Sequence, residues 1–149
     1  MSQWGLWLIA ILAPIMGVAL WIGVTTVIGA MSGWFRLMQR FPNQPDSARL
    51  SLSWQSGAMG IGVNYNNVLR LATCDTGLRV GVPRLFGIYA RDFLVPWRDI
   101  RVKRYKSFFV DFVELTFGDP AVGRLVVRAA TADRLRESIP KLWPEKPGT

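Results

Sequence analysis

The sequence contains no histidine and a single cysteine, Cys74. Histidine is the commonest general base and metal ligand, so its absence removes the usual catalytic and metal-binding chemistry. One cysteine cannot form an internal disulfide, which fits a reducing compartment. Charge is also missing from one region, because every Lys, Arg, Asp and Glu lies after Phe35. The chain therefore divides into an uncharged N-terminal segment and a charged remainder.

The uncharged segment predicts a membrane-spanning helix. As a helix, residues 6–30 would be roughly 37 Å long, more than the ~30 Å hydrocarbon core of a bilayer. The alternative is a cleaved secretory signal, but such signals have a positive N-terminal region and an apolar core of only about 7–15 residues. We predict a transmembrane anchor over residues 1–35, with its end at the membrane interface and a bend at Pro14.

The residues that flank this segment predict its orientation. No Lys or Arg precedes the helix, whereas arginines follow it directly. The positive-inside rule then places the C-terminal part in the cytoplasm and the N-terminus outside, so we predict a single-pass protein of the inner (plasma) membrane. The predicted interface residues are aromatic side chains at both ends and arginines that extend to the headgroups: Trp4, Trp7, Trp34, Phe35, Arg36 and Arg40.

The small residues in the helix are compatible with a homodimer. Gly29 and Gly33 form a GxxxG pair, and two further small pairs, at 13/17 and 19/23, repeat the spacing. This spacing allows helices to approach closely, although Gly and Ala are common in membrane helices in any case.

The remainder predicts one small β-domain over residues 49–143. Residues 36–48 are predicted to form a juxtamembrane segment and linker. The helix is expected to continue along the interface over residues 32–41, and the two prolines that follow then end it. Residues 144–149 form a flexible tail. With a net charge of +8, all of it after Phe35, the domain is suited to a polyanion or an anionic membrane surface.

Apolar residues alternate with polar ones from Leu50 onward, which predicts strands. Turn residues punctuate them at 64–67, 75–77, 83–84 and 118–120. One C-terminal helix is predicted, capped by Thr131 and ending before Pro140. The fold class is a mainly-β, pleckstrin-homology-like (PH-like) barrel or sandwich of about seven antiparallel strands closed by that helix. The candidate strands are residues 50–54, 59–63, 68–74, 78–82, 85–94, 100–105, 108–117 and 125–129.

Several short motifs add a resemblance: SWQSG with a following Met at 53–59, YNN at 65–67, GL at 77–78 and VPW with DI at 95–100. Together they resemble a family of small, uncharacterised bacterial membrane-anchored proteins and are similar to GRAM/PH-like sequences. The resemblance covers roughly residues 32–130. It implies a fold and topology and no activity.

We predict no catalytic, cofactor or metal site. Glycines at 57, 60 and 62 have a nucleotide-loop spacing, but a strand follows them where a phosphate loop needs a helix, so kinks or a bulge are the better interpretation. Cys74 ends an apolar strand and is expected to be a small buried residue. Asp111 and Glu114 have an odd spacing on a strand, which sends them to opposite faces.

The basic segment over residues 91–106, the predicted basic patch, is the most informative feature for function. Aromatic residues are interleaved with its cations, and Phe108 and Phe109 at a loop tip are candidate membrane-inserting residues. Three interpretations remain: a solvated basic face, docking onto anionic lipid, or nucleic-acid binding, which we do not expect at a membrane. The candidate contacts for a lipid or partner are Arg91, Arg98, Arg101, Lys103, Arg104, Lys106, Phe108 and Phe109.

These features predict a non-enzymatic, membrane-anchored module that binds a protein or anionic lipid at the cytoplasmic face. The alternative is an accessory subunit whose helix packs within a larger membrane protein complex. An enzyme is the third interpretation, and it would need Cys74 or an acid pair that the fold brings together.

Overall fold

The computed structural model describes residues 2–60, 62–83, 85 and 90–144. These residues form an N-terminal apolar helix, a curled half-barrel of seven antiparallel strands and a C-terminal helix, which confirms the predicted fold class. The helices are α1 (Gln3–Met31), α2 (Trp34–Arg40) and α3 (Ala129–Ser138), with a short 3₁₀ turn at Trp97–Asp99. The strands are β1 (Ala48–Met59), β2 (Val63–Cys74), β3 (Gly77–Gly81), β4 (Phe93–Pro96), β5 (Ile100–Ser107), β6 (Val110–Phe117) and β7 (Gly123–Arg128).

Helix α1 is long and apolar enough to cross a membrane. Its 29 residues correspond to about 43 Å at 1.5 Å per residue. The Ser2 hydroxyl accepts a hydrogen bond from the Gly5 amide at the N-terminus, and the helix continues through Pro14. Most of its side chains are exposed, as expected for a helix that faces lipid.

The chain breaks between α1 and α2 and then enters the β-domain. Gly33 has φ +79°, a left-handed conformation that glycine adopts readily. The Ser32 hydroxyl donates to the Gly29 carbonyl oxygen and accepts from the Tyr65 hydroxyl, each at 3.0 Å. The predicted continuation of the helix along the interface is therefore wrong. Gly29 and Gly33 also do not form a GxxxG pair on one helix, because Gly33 lies beyond α1.

Helix α2 belongs to the core of the β-domain. Trp34 and Leu37 have no exposed surface, and Phe41 just beyond the helix is 3% exposed. The domain boundary predicted at residue 49 is therefore too late, since apolar packing begins at Trp34. The sequence did not indicate this earlier start of the domain, because residues 42–47 have the composition of a linker. They run along the sheet instead, where Arg79 donates to the Gln44 carbonyl oxygen at 2.8 Å.

The seven strands follow the order β4-β3-β2-β1-β7-β6-β5. Strand β1 joins the two halves, because most of its length pairs with β2 while Ala58 and Met59 also pair with β7. The sheet curls around an apolar core, and α3 covers one end of it. The hydroxyls of Thr73 and Ser138 hydrogen-bond there at 2.8 Å, and Leu135 is fully buried.

Several local predictions are corrected. Gly60 and Gly62, with φ +61° and +100°, make the turn between β1 and β2 where a strand was predicted over 59–63. The predicted turn at 64–67 lies within β2. Of the strand predicted over 85–94, only the part from Phe93 onward is β4, and residues 86–89 lie outside the described residues. Thr131 lies inside α3 and does not cap it, since the N-cap is Arg128.

Candidate interaction site

The β-domain has two distinct ends. At the first, which we call the helix end, the turn after β1 approaches the end of α1 so closely that a side-chain carbon at Gly60 would lie 2.7 Å from the Met31 carbonyl oxygen. The start of β7 lies at the same end, where a carbon at Gly123 would lie 2.8 Å from Leu37. The opposite end, the far end, carries α3 and the β5–β6 hairpin turn, because β7 runs from Gly123 at the helix end to Arg128, which pairs with Phe112 near that turn and directly precedes α3.

A second contact joins α1 to the helix end. The indole nitrogen of Trp21 donates to the carbonyl oxygen of Leu85 at 2.6 Å. Leu85 lies in the connection between β3 and β4, and its side chain is 69% exposed. The β-domain is thus attached beside α1 as well as through the chain at Ser32.

Trp34 is a core residue, so its predicted role at headgroup depth is wrong. Its ring contacts those of Phe93 and Tyr65, with centroids 5.0 and 5.9 Å away. Its indole nitrogen donates to the Arg91 carbonyl oxygen at 2.8 Å. Burial of both the ring and its polar atom shows that Trp34 connects α2 to β4.

The other predicted interface residues differ in environment. Phe35 is half-buried and covers Gly29, where an added carbon would meet its ring at 3.0 Å. Arg36 and Arg40 are exposed, and the Arg40 guanidinium lies 4.8 Å from the centroid of the Phe41 ring. At the other end of α1, Trp4 and Trp7 are exposed.

The six cations of the predicted basic patch do not form one surface. Arg104 faces α3, where it donates to the Asp133 carboxylate at 2.9 Å. Arg98 projects from the 3₁₀ turn and Lys106 lies opposite Asp111 at the far end. Arg91 is at the helix end. The closeness of these cations in sequence did not predict a shared surface, because successive side chains of a strand point to opposite faces of the sheet.

A basic surface does exist, and it draws on a different strand. Arg101 and Lys103 are exposed on the outer face of β5, as the alternation predicted. The register aligns Arg101 with Thr116 and then Arg124, and aligns Phe112 with Arg128. Sequence reasoning missed both β7 cations, although the alternation in β7 carries the signal. We call this surface the basic outer face, defined by Arg101, Lys103, Arg124 and Arg128.

One carboxylate interrupts the basic outer face. Glu114, on β6 between Lys103 and Val126, lies 4.0 Å from the Arg124 guanidinium. Arg124 also donates to the Gly60 carbonyl oxygen at 2.9 Å, which holds it toward the helix end. Four exposed cations against one acid give the face an excess of positive charge, suited to an anionic partner.

The β5–β6 turn presents two phenylalanines, and we call this pair the aromatic tip. Phe108 and Phe109 are 93% and 96% exposed. Both have positive φ values, 49° and 67°. Behind them the rings of Tyr105 and Phe112 stack with centroids 5.7 Å apart. The predicted loop-tip position is correct, and β6 begins at Val110, two residues later than predicted.

A polar cleft of about 780 Å³ lies near the helix end, lined in part by Met38, Arg70, Arg91 and Asp92. Arg70 pairs with Asp92 at 3.2 Å, so the cleft offers guanidinium groups and no unpaired carboxylate among its described lining residues. Cys74 lies elsewhere and is fully buried, as predicted, and burial raises the pKa of its thiol. Within the described ranges, no group of three His, Cys, Asp or Glu could hold a metal ion.

In comparisons with known proteins, no family model, curated protein or solved structure matches this chain. The surfaces of the described residues therefore carry the information on function. These are the membrane-competent helix, the basic outer face and the aromatic tip.

Proposed function

We propose that this chain is a non-catalytic interaction module, anchored by α1 in a bacterial inner membrane, whose β-domain binds a protein or an anionic lipid at the cytoplasmic face. The observation that carries the proposal is the basic outer face, where cross-strand register brings four exposed cations from two strands around Glu114. Scattered solubilising charge would mix both signs across a sheet face.

The distribution of charge supports the orientation. No Lys or Arg precedes α1, and the exposed Arg36 and Arg40 follow it closely. Cations near the start of a cytoplasmic domain are what the positive-inside rule requires. An anionic leaflet attracts each nearby cation by about 1 kcal/mol, so the exposed arginines of the helix end favour close contact with lipid headgroups.

The contact between Trp21 and Leu85 supports a domain held close to the bilayer. Trp21 precedes the end of α1 by ten residues, or about 15 Å along its axis. If Trp4 and Trp7 mark one interface, a ~30 Å core places the other near residues 24–27. Trp21, and Leu85 bonded to it, then lie about 5–9 Å to the hydrocarbon side of the inner interface, within reach of the headgroup boundary.

The test is affinity isolation of the full-length chain from its own host's membranes in mild detergent, with mass spectrometry of bound proteins and lipids. The R101Q/K103Q/R128Q variant removes three charges from the basic outer face and keeps Arg124, which bonds Gly60. The matched control, R98Q/R134Q/K141Q, removes three exposed charges elsewhere. We expect the first variant to retain at least tenfold less partner or anionic lipid and the control to behave as wild type. Equal retention by both variants contradicts the proposal.

A second candidate function is an accessory subunit whose helix packs within a larger membrane complex. The observation that favours it is that α1 has open small-residue positions, since none of the described residues lies within 4 Å of a side-chain carbon added at Gly17 or at Gly23. Small residues at such positions let a neighbouring helix approach closely. We expect G17L/G23L to release a stoichiometric partner in this case, whereas a lone monomer after gentle extraction of the wild type counts against it.

A further inference from the structure

We infer that the aromatic tip binds a protein partner by entering an apolar pocket bordered by carboxylates. This inference rests on the proposed function, because it names the kind of partner that the β-domain recognises. Four properties of Phe108 and Phe109 support it: their backbone conformation, their exposure, their position in the β-domain and the charges around them.

The backbone of the tip is unfavourable for the residues that occupy it. Ser107 pairs with Val110, so Phe108 and Phe109 are the two residues of the loop, with φ 49° and 67°. Positive φ at both central residues is the geometry of a type I′ turn, in which Asn-Gly or Asp-Gly is preferred. A bulky L-residue in this conformation has its Cβ too close to the following carbonyl oxygen. Local folding therefore gives no reason for two phenylalanines here, and strain of this kind is characteristic of functional sites.

The exposure of the tip is equally unfavourable for a free domain. Two phenylalanine side chains that are 93% and 96% exposed present on the order of 300–500 Å² of aromatic surface. Contiguous apolar patches of this size on a protein surface are often functional. The stacked pair Tyr105 and Phe112 lies just behind the tip on the same hairpin.

The position of the tip favours a protein over the bilayer that contains α1. The start of β5 is at the helix end, since Ile100 pairs with Phe117, Phe117 pairs with Gly123, and Gly123 packs against Leu37 of α2. The tip follows Ser107 at the other end of the strand, which spans about 25 Å at ~3.3 Å per residue. The aromatic tip and the attachment of α1 thus lie at opposite ends of the β-domain.

The surrounding charges define the chemistry of the partner. Lys106 and Arg128 are exposed near the tip, since Lys106 is two residues from Phe108 and Arg128 pairs with Phe112, and the acid Asp111 lies opposite Lys106. Carboxylates around an apolar pocket would complement this arrangement. A second copy of the chain would instead bring these cations face to face. An aromatic residue in a pocket with a polar rim is the usual structure of a binding hot spot, and Lys106 and Arg128 lie where that rim would form.

The experiment uses the full-length chain in its own host. Photoreactive p-benzoylphenylalanine is placed at position 108 or, as a control, at 54, because Trp54 is also exposed (64%) with positive φ (59°) but lies on β1. Cross-linked products are identified by mass spectrometry. We expect position 108, and not 54, to capture one protein that also co-purifies with the wild-type chain. F108N/F109G should lower its co-purification at least tenfold, whereas W54S should leave it unchanged.

Stability gives an independent readout. Asn-Gly suits the turn, so F108N/F109G should raise the thermal midpoint of the isolated chain. A lower midpoint shows that the rings pack within the domain and overturns the inference. Capture of lipid or of a second copy at position 108 also overturns it. If F108N/F109G keeps a partner that R101Q/K103Q/R128Q loses, the inference fails and the proposed function stands. If both variants keep the partner, the inference and the proposed function are both contradicted.

Discussion

Trp21 and Leu85, 64 residues apart in sequence, are joined by a hydrogen bond of 2.6 Å from the indole nitrogen to the carbonyl oxygen. Trp21 lies within the apolar helix, where a membrane offers few other acceptors for its N–H group. The bond therefore has two consequences: it satisfies a polar atom in α1, and it holds Leu85 against the helix. A domain attached at two points has less freedom to rotate over the membrane than one attached by a single chain.

We predict that Leu85 lies at the membrane interface. An environment-sensitive NBD label on L85C, in nanodiscs that contain anionic lipid, should show blue-shifted emission and strong quenching by lipids carrying a nitroxide near the headgroup. The matched label on S53C, exposed on β1, should show neither. Adding W21F should weaken the quenching at position 85. Equal emission at the two labelled positions would show that the β-domain stands clear of the bilayer.

The native cysteine should not interfere with such labelling. Cys74 is fully buried, and burial raises the pKa of its thiol, so little of the reactive thiolate forms at pH 7 to 8. We expect maleimide to modify Cys74 slowly in the folded chain and quickly after denaturation. The S53C thiol in the same chain provides the fast reference. Comparable rates at both cysteines under native conditions would mean that β2 opens readily.

Trp34 should contribute to the stability of the β-domain. Replacing a fully buried Trp by Ala typically costs about 3–5 kcal/mol, and W34A also leaves the Arg91 carbonyl oxygen without its donor. W7A removes the same side chain from an exposed position in α1 and should leave domain unfolding unchanged. Chemical denaturation of the full chain in detergent measures both. A headgroup role for Trp34 would instead make the two variants equally mild.

Trp34 also shows what a sequence can and cannot specify. The length of the uncharged apolar run identified α1, and periodicity identified most of the strands and α3, because all of these are local signals. An aromatic residue at the end of an apolar helix, however, is compatible with headgroups or with a protein core, and only the break at Gly33 decides. The basic outer face has the same difficulty. Arg124 joins Arg101 through strand register, which involves residues far apart in sequence.

Acid should weaken one specific contact of the segment between α2 and β1. The Thr76 hydroxyl and amide donate to the Asp46 carboxylate at 2.7 and 2.9 Å. The side-chain hydrogen bond from Thr76, followed by its backbone hydrogen bond, lowers the pKa of Asp46 below its ordinary value of 3.8. A lowered pKa in the folded state stabilises above the ordinary pKa, and the contribution disappears as the pH falls through the lowered value.

We therefore expect the thermal midpoint of D46N to vary less than that of the wild type as the pH falls below about 4. T76V removes the hydroxyl donor and keeps the amide, so its pH dependence should be intermediate. Circular dichroism of the full chain between pH 6 and 2 measures all three. Identical pH profiles for wild type and D46N would mean that the contact contributes nothing to acid stability.

The β-domain should fold without α1 but not without α2. A fragment of residues 32–149 retains Trp34, Leu37 and Phe41, whereas a fragment of residues 42–149 loses all three buried side chains. Their loss would uncover the inner surfaces of Phe93 and Tyr65, which contact the Trp34 ring. Since small domains are only marginally stable, we expect the longer fragment to unfold cooperatively and the shorter one to aggregate or to show no thermal transition. L37A in the longer fragment should lower its midpoint, which separates a packing effect from mere chain length. Cooperative unfolding of both fragments at the same temperature would instead make α2 a dispensable linker and return the start of the domain to residue 49.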